Sequence, residues 1–218
     1  MKWYMVHSIF PTIQGEGVHA GTPAIFVRLS GCNVWSGLAK DRERASARGV
    51  CALWCDTEFR GTTYSGGSIT LPDLLAQLLT YTLERPGLRL VVLTGGEPGL
   101  QVDRALVLGL QGAGYRVHVE TNGSRELPQE IDWITLSPKP PMPVLVQKVD
   151  EVKCIYPDVD PEPWREMVPG GRVFIQPRDP FGAFEGAPDT HWSEAIAYVL
   201  SHPWCRLSVQ THKLLDIP

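Results

Sequence analysis

The sequence predicts an α/β fold on a mainly parallel sheet, because short apolar or alternating runs are interspersed with helical patterns and several runs end in polar, turn-forming residues. Strand patterns cover 4–10 (YMVHSIF), 24–31 (AIFVRLSG), 88–95 (LRLVVLTG) and 115–123 (YRVHVETNG), then 131–138 (IDWITLSP), 150–157 (DEVKCIYP), 172–177 (RVFIQP) and 205–212 (CRLSVQTH). Leucines and alanines at three-to-four spacing predict helices over 71–84, 102–114 and 191–202. Prolines and turn residues dominate 121–168, where crossovers must be loops or single turns. A doubly wound sheet and a barrel both fit this alternation, but a barrel would be incomplete and thinly covered outside. The endings LTGGEP, VETNG, LSPK and FIQPRD fall at strand C-termini, which share one face in parallel folds, so the chemistry is expected along that rim.

A chain of 218 residues is long enough for one well-buried domain and short for two. A formal charge of -4 gives no positive field to attract polyphosphate, so nucleic acid is not an expected partner. The start, MKWYMVHSIFPTIQ, lacks the apolar core of a signal peptide, and no run approaches the roughly 20 apolar residues of a membrane helix. A cytoplasmic location follows as the expectation. Five cysteines, an odd number in a reducing compartment, argue against a disulfide framework and for metal binding or thiol chemistry.

Cys32, Cys51 and Cys55 form C-x18-C-x3-C. Structural zinc normally takes four protein ligands, and only these three cysteines are close in sequence. Cys154 and Cys205 sit in strand patterns and read as small core residues. Three thiolates with an open fourth position suit a [4Fe–4S] cluster whose unique iron binds an exogenous ligand, although the spacing is not a standard pattern and chance clustering in a loop stays open. Lengthening a loop from three to eighteen residues adds only about 1.6 kcal/mol of closure entropy. Metal–thiolate folding energies of about 10 kcal/mol or more outweigh that. The charged run LAKDRERASARG within the detour is most simply a solvated helix, with Asp41 and Glu43 among its arginines.

The stretches IQGEG, RLSGCN, CALWCDTEF, LTGGEP, ETNG, SPK and QTHKLLDIP, in this order, resemble the 7-carboxy-7-deazaguanine synthase family of radical S-adenosylmethionine enzymes. The resemblance runs through essentially the whole chain. It implies a single domain over 1–218 with a reduced, partial (β/α) barrel of about six core strands and few helices, carrying an insertion at about 33–50 within the cluster-binding loop. It also implies a [4Fe–4S] cluster, S-adenosylmethionine, Mg2+ and a pterin substrate, 6-carboxy-5,6,7,8-tetrahydropterin. The activity implied is a carbon–nitrogen lyase reaction that contracts the pterin ring to 7-carboxy-7-deazaguanine with loss of ammonia, in deazapurine and queuosine precursor biosynthesis. An electron donor such as flavodoxin or ferredoxin and a homodimer are the partners expected. The family pattern C-x3-C-x2-C is departed from twice, in the long first gap and in the extra residue between Cys51 and Cys55.

By the resemblance, Cys32, Cys51 and Cys55 hold three irons, and Trp54 packs beside the cofactor adenine. Gly96 lets backbone approach the cofactor and Glu97 accepts from its amino group. Ser137, Pro138 and Lys139, with Gln176, Pro177, Arg178 and Asp179, form further cofactor-binding ends; from spacing alone Lys139 is an ordinary surface lysine. Thr57, with the substrate carboxylate and waters, makes a site for Mg2+, while Asp56 stands behind it; a capped turn fits the same residues. Ile13, Gln14, Gly15 and Glu16 lie against the pterin ring and its edge, and Arg28 pairs with its carboxylate, although a buried salt bridge would satisfy that arginine equally. Thr94, Glu120 and Asn122 contact the substrate or the ribose, Asn122 being equally a turn residue. His212 and the carboxylate of Pro218 complete the substrate site, against the general tendency of termini to fray. A glycyl-radical activase and a non-catalytic zinc or thiolate module are the competing readings.

Overall fold

The computed structural model describes residues 2–46, 55–63, 65–168, 170–178 and 190–218. Its strands are β1 (Trp3–Ile13), β2 (Pro23–Leu29), β3 (Gly67–Thr70), β4 (Leu90–Gly95), β5 (Arg116–Thr121), β6 (Trp133–Leu136), β7 (Glu151–Tyr156), β8 (Val173–Pro177) and β9 (Arg206–Leu207). They form one sheet in the order β3-β1-β2-β4-β5-β6-β7-β8-β9. Every pairing from β2 to β9 is parallel, while β1 runs antiparallel to both β2 and β3. The six longer parallel strands, β2 and β4 to β8, are the expected barrel core.

Helices α2 (Leu71–Glu84), α3 (Arg104–Gly112) and α4 (Thr190–Ser201) lie where apolar spacing predicts them. Thr70 caps α2 by accepting from the Asp73 N–H at 3.4 Å, and Asp103 caps α3 by accepting from Leu106 at 2.9 Å. Helix α1 (Ala39–Ser46) occupies the charged run, and α5 (Thr211–Leu214) is a single turn near the C-terminus. Among the described residues no α-helix lies between β5 and β8; a short 3-10 turn at Glu162–Trp164 is the only helical feature there, as the proline-rich sequence requires.

The two faces of the sheet are chemically distinct because alternate residues point to opposite sides. Val91, Leu93, Val117, Val119 and Ile134 pack with α2 and α3 in one core cluster, and Val152, Cys154, Val173 and Ile175 join Ala195 of α4 in another. The expectation of core roles for Cys154 and Cys205 is met: both are buried in the second cluster. The other face carries Arg28, Thr94, Glu120, Lys153 and Gln176, which all line one pocket. Side chains from β2 through β8 can share a pocket only if the sheet curls, and β3 and β9 remain unjoined edges. The result is an incomplete barrel. Among the described residues no helix is long and apolar enough to cross a membrane.

Two expectations are corrected. β3 was not predicted, because GSIT is only four residues long and runs directly into α2. The strand expected over 205–212 is only Arg206–Leu207, because Thr211 donates both its N–H (3.1 Å) and its hydroxyl (2.9 Å) to the Gly15 carbonyl, turning the chain across the barrel mouth.

Candidate active site

The pocket, about 280 Å³, opens at the C-terminal ends of the parallel strands. One wall is the loop between β1 and β2, held by Gln14 N–H donating to Thr22 at 2.8 Å and Gly21 N–H to Gln14 at 2.8 Å. Gly17, at φ 67°, lies so close to Glu151 that a Cβ would sit 2.3 Å from its Oε1. Val18 N–H donates to Glu151 Oε2 at 2.8 Å, which anchors the loop to β7. Gly15 is equally confined: a Cβ there would meet His212 Nδ1 at 2.2 Å. The glycines of QGEG therefore let the loop press against β7 on one side and the C-terminal segment on the other.

A cluster of charges forms the floor. Lys153 Nζ pairs with Glu16 Oε2 and, at 3.1 Å, with Glu120 Oε2. Gln176 and Gln210 donate to Glu16 Oε1 at 3.1 and 2.9 Å, and Gln14 donates to Glu120 Oε1 at 3.0 Å. Burial opposes the charge on Glu16, yet the Lys153 ammonium and the amide donor of Gln210 override it and hold the carboxyl down at about 2. Burial, with the nearby charges of Glu16 and Glu151, pushes Glu120 up against the pull of Lys153. Burial likewise disfavours the charge on Lys153, but Glu120 and Glu16 raise it above the ordinary lysine value. Arg28 also lines the pocket, its guanidinium 5.5 Å from the Phe10 ring, and its buried Nε has no hydrogen-bond partner among the described residues. An orphaned guanidinium N–H in a pocket suits an anionic ligand group.

The opposite wall is the cysteine loop. Cys32 and Cys55 both line the pocket and pack on Trp35 and Phe59. Burial raises the Cys32 thiol, while the N–H groups of Val34 and Trp35 favour its thiolate. Cys51 and Trp54 lie outside the described residues, as does Asp179. Among the described residues no three His, Cys, Asp or Glu side chains converge on a metal position. The fit to a cluster is carried by the backbone beneath the cysteines. A Cβ on Gly96 would meet the Gly31 carbonyl at 2.1 Å and Cys32 Cβ at 2.9 Å, and one on Gly95, at φ 132°, would meet the Leu29 carbonyl at 2.1 Å. The paired glycines thus bring the end of β4 hard against the first cysteine, and two thiols face the cavity beside the third in sequence. This donor set fits a three-cysteine cluster.

The C-terminal segment closes the remaining side. His212, Lys213 and Pro218 line the pocket, Lys213 pairs with Asp56 beside Cys55, and Thr12 donates to a terminal oxygen of Pro218 at 2.5 Å. The terminus is therefore tied down rather than frayed.

No family model matches the chain. A 7-carboxy-7-deazaguanine synthase from Caulobacter vibrioides is 43% identical over 220 residues, covering 99% of each chain. One from Burkholderia multivorans is 41% identical over 222 residues, again with 99% of each covered. The chain belongs to the 7-carboxy-7-deazaguanine synthase family. Among solved structures, QueE from Escherichia coli superposes with a TM-score of 0.65 at 25% identity, covering 95% of this chain and 94% of that one.

Of the residues that the family resemblance singles out, Ile13, Gln14, Gly15, Glu16, Arg28, Cys32, Cys55, Thr57, Thr94 and Gly96 line the pocket. So do Glu120, Asn122, Ser137, Lys139, Gln176, Pro177, His212 and Pro218. Ser137 accepts from Lys139 Nζ at 2.6 Å, and Asn122 Nδ2 donates to Asn33 at 3.3 Å, tying the loop after β5 to the cysteine loop. Glu97, Arg178 and Pro138 are not among the lining residues. Glu97 is 0% exposed and its carboxylate accepts from Gly99 N–H (2.7 Å), Thr121 Oγ1 (2.6 Å) and Asn122 N–H (2.8 Å), so it braces the rim from behind. Arg178 is drawn out of the pocket by Asp158, at 3.0 and 3.2 Å, and by His191 at 2.7 Å. Pro138 is buried but does not line the cavity.

Sequence reasoning missed Lys153, Gln210 and Lys213. The signal for Lys153 was present: it is a charge inside the apolar run VKCIY, the same anomaly that drew attention to Arg28.

Proposed function

We propose that this chain contracts the ring of 6-carboxy-5,6,7,8-tetrahydropterin to give 7-carboxy-7-deazaguanine and ammonia. The observation that carries the reading is one pocket with thiols on one wall, a floor of paired carboxylates, and a guanidinium whose Nε is unpartnered among the described residues. Cys32, Cys51 and Cys55 would hold the [4Fe–4S] cluster. When bound, the cluster supplies one electron and S-adenosylmethionine the carbon radical that starts the reaction by taking hydrogen from the substrate.

The chain's own residues bind, orient and exclude water. Gly96, Ser137, Lys139, Gln176 and Pro177 form the cofactor side, with Trp54 beside the adenine. Glu16, Glu120 and Gln14 present acceptors to the amino and N–H edge of the pterin, against which Ile13 and Gly15 pack. Arg28 takes the substrate carboxylate through its free Nε, while Thr94, Asn122, His212 and the terminal carboxylate of Pro218 enclose the ring. Burial lowers His212, so it serves as a neutral hydrogen-bond partner rather than a second cation. Thr57, the substrate carboxylate and waters would coordinate Mg2+, an oxygen-rich set suited to that ion.

In this reading residues 33–50 are an insertion within one domain, the enzyme is a cytoplasmic homodimer, and a flavodoxin- or ferredoxin-like protein delivers the electron. Anaerobic reconstitution provides the test. A brown protein with about four irons that converts the pterin in the presence of S-adenosylmethionine, Mg2+ and reductant supports the reading. A colourless protein holding zinc supports the thiolate module, and S-adenosylmethionine cleavage that requires a protein substrate supports an activase.

A further inference from the structure

We propose that Lys153 is a positioning residue: its ammonium clamps the carboxylates of Glu16 and Glu120 side by side so that both face one substrate in the pocket. The inference rests on the function read above.

Glu16 arrives on the loop after β1 and Glu120 on β5, so nothing local in sequence keeps them together. Two carboxylates in a low-dielectric pocket repel unless a cation or a proton intervenes. Lys153, projecting from β7, meets one oxygen of each, and its side chain is only 9% exposed against 12% and 15% for theirs. Their other oxygens are held by different donors, Gln176 and Gln210 on Glu16 and Gln14 on Glu120. Each carboxylate is thus fixed at both ends, and among the described residues Lys153 is the partner they share. The other titratable groups bearing on the cluster are Glu151 of β7, which adds negative charge, and His212 of α5. Because the two glutamates outnumber the single lysine, the floor keeps acceptor character, which matches a ligand edge rich in N–H donors. A buried ion pair is weak evidence for stability, since an apolar replacement is often neutral. The expected consequence of losing Lys153 is therefore on substrate binding more than on folding.

The test compares wild type, K153M and K153R as reconstituted holoenzymes with S-adenosylmethionine, measuring KM and kcat for 6-carboxytetrahydropterin against pH. In K153M the KM at neutral pH is expected to rise roughly tenfold to a hundredfold, with a smaller change in kcat. Lys153 is what holds Glu16 low; without it the carboxyl protonates at higher pH, so the KM of K153M should recover only as the solution is made more alkaline than the wild type requires. K153R, which keeps the cation, should restore most of the affinity. A folded K153M with unchanged KM and a flat profile overturns the proposal. If K153M does not fold by circular dichroism, K153Q is read by the same criteria. If K153Q also fails to fold, Lys153 is a folding residue and the proposal is overturned. A wild-type enzyme that binds and cleaves S-adenosylmethionine but leaves the pterin untouched instead defeats the functional reading on which the proposal rests.

Discussion

Replacing Cys32 by alanine is expected to abolish turnover while leaving the fold intact. The thiol is half-buried, packs at the edge of the Trp35–Phe59 cluster, and accepts only weak backbone bonds, that from Val34 N–H at 3.4 Å. Losing one sulfur there costs about 1 kcal/mol of stability or less. If Cys32 is one of three iron ligands, as proposed, its loss removes the redox centre, and turnover should fall on the order of a thousandfold or more. Iron content, S-adenosylmethionine cleavage and a thermal melt separate the two effects. Cys154→Ala gives the opposite pattern, because Cys154 is 0% exposed in the core behind β7: stability drops and the iron content is unchanged. Full activity in the Cys32 variant would remove the cluster from this pocket.

Glu97→Ala is expected to destabilise the protein by about 3 kcal/mol or more, because a buried carboxylate that satisfies several donors leaves them all unpaired when it is deleted. The donors are the N–H groups of Gly99 and Asn122, in the segments after β4 and β5, and the hydroxyl of Thr121 at the end of β5. Burial pushes the Glu97 carboxyl up, and those donors pull against it, so the group is constrained from every side. Urea midpoints measure the loss. A residue whose only work was to touch the cofactor would leave the midpoint in place and weaken S-adenosylmethionine binding alone. Here both should change together, since Asn122 and Thr121 line the pocket and depend on Glu97 for their position.

Hydrophobic periodicity made most of the barrel legible before any coordinates. The parallel strands are short and apolar because one face meets helices and the other closes on the barrel interior. The endings LTGG, ETNG, SPK and QP all reach the pocket because strand C-termini converge in this topology. What escaped was decided by contacts distant in sequence. Alternation carried CRLSVQTH past Leu207, and only the pull of Gly15 on Thr211 turns that segment into a helical strap. The bonds that Glu97 accepts from Thr121 and Asn122, on the next strand and its loop, are equally beyond local pattern. Arg178 reads as part of a cofactor-binding end until Asp158 and His191 draw it aside. Lys153 stood out as a charge in a buried strand, but its partners lie 137 and 33 residues away, a relation that periodicity does not carry.

The most direct test of the account is turnover of 6-carboxy-5,6,7,8-tetrahydropterin carrying deuterium at C6. If the hydrogen that the S-adenosylmethionine radical takes from the substrate is the one on C6, as we propose, deuterium appears in the 5′-deoxyadenosine recovered, with 7-carboxy-7-deazaguanine and ammonia formed. Unlabelled 5′-deoxyadenosine accompanied by the same product would contradict it.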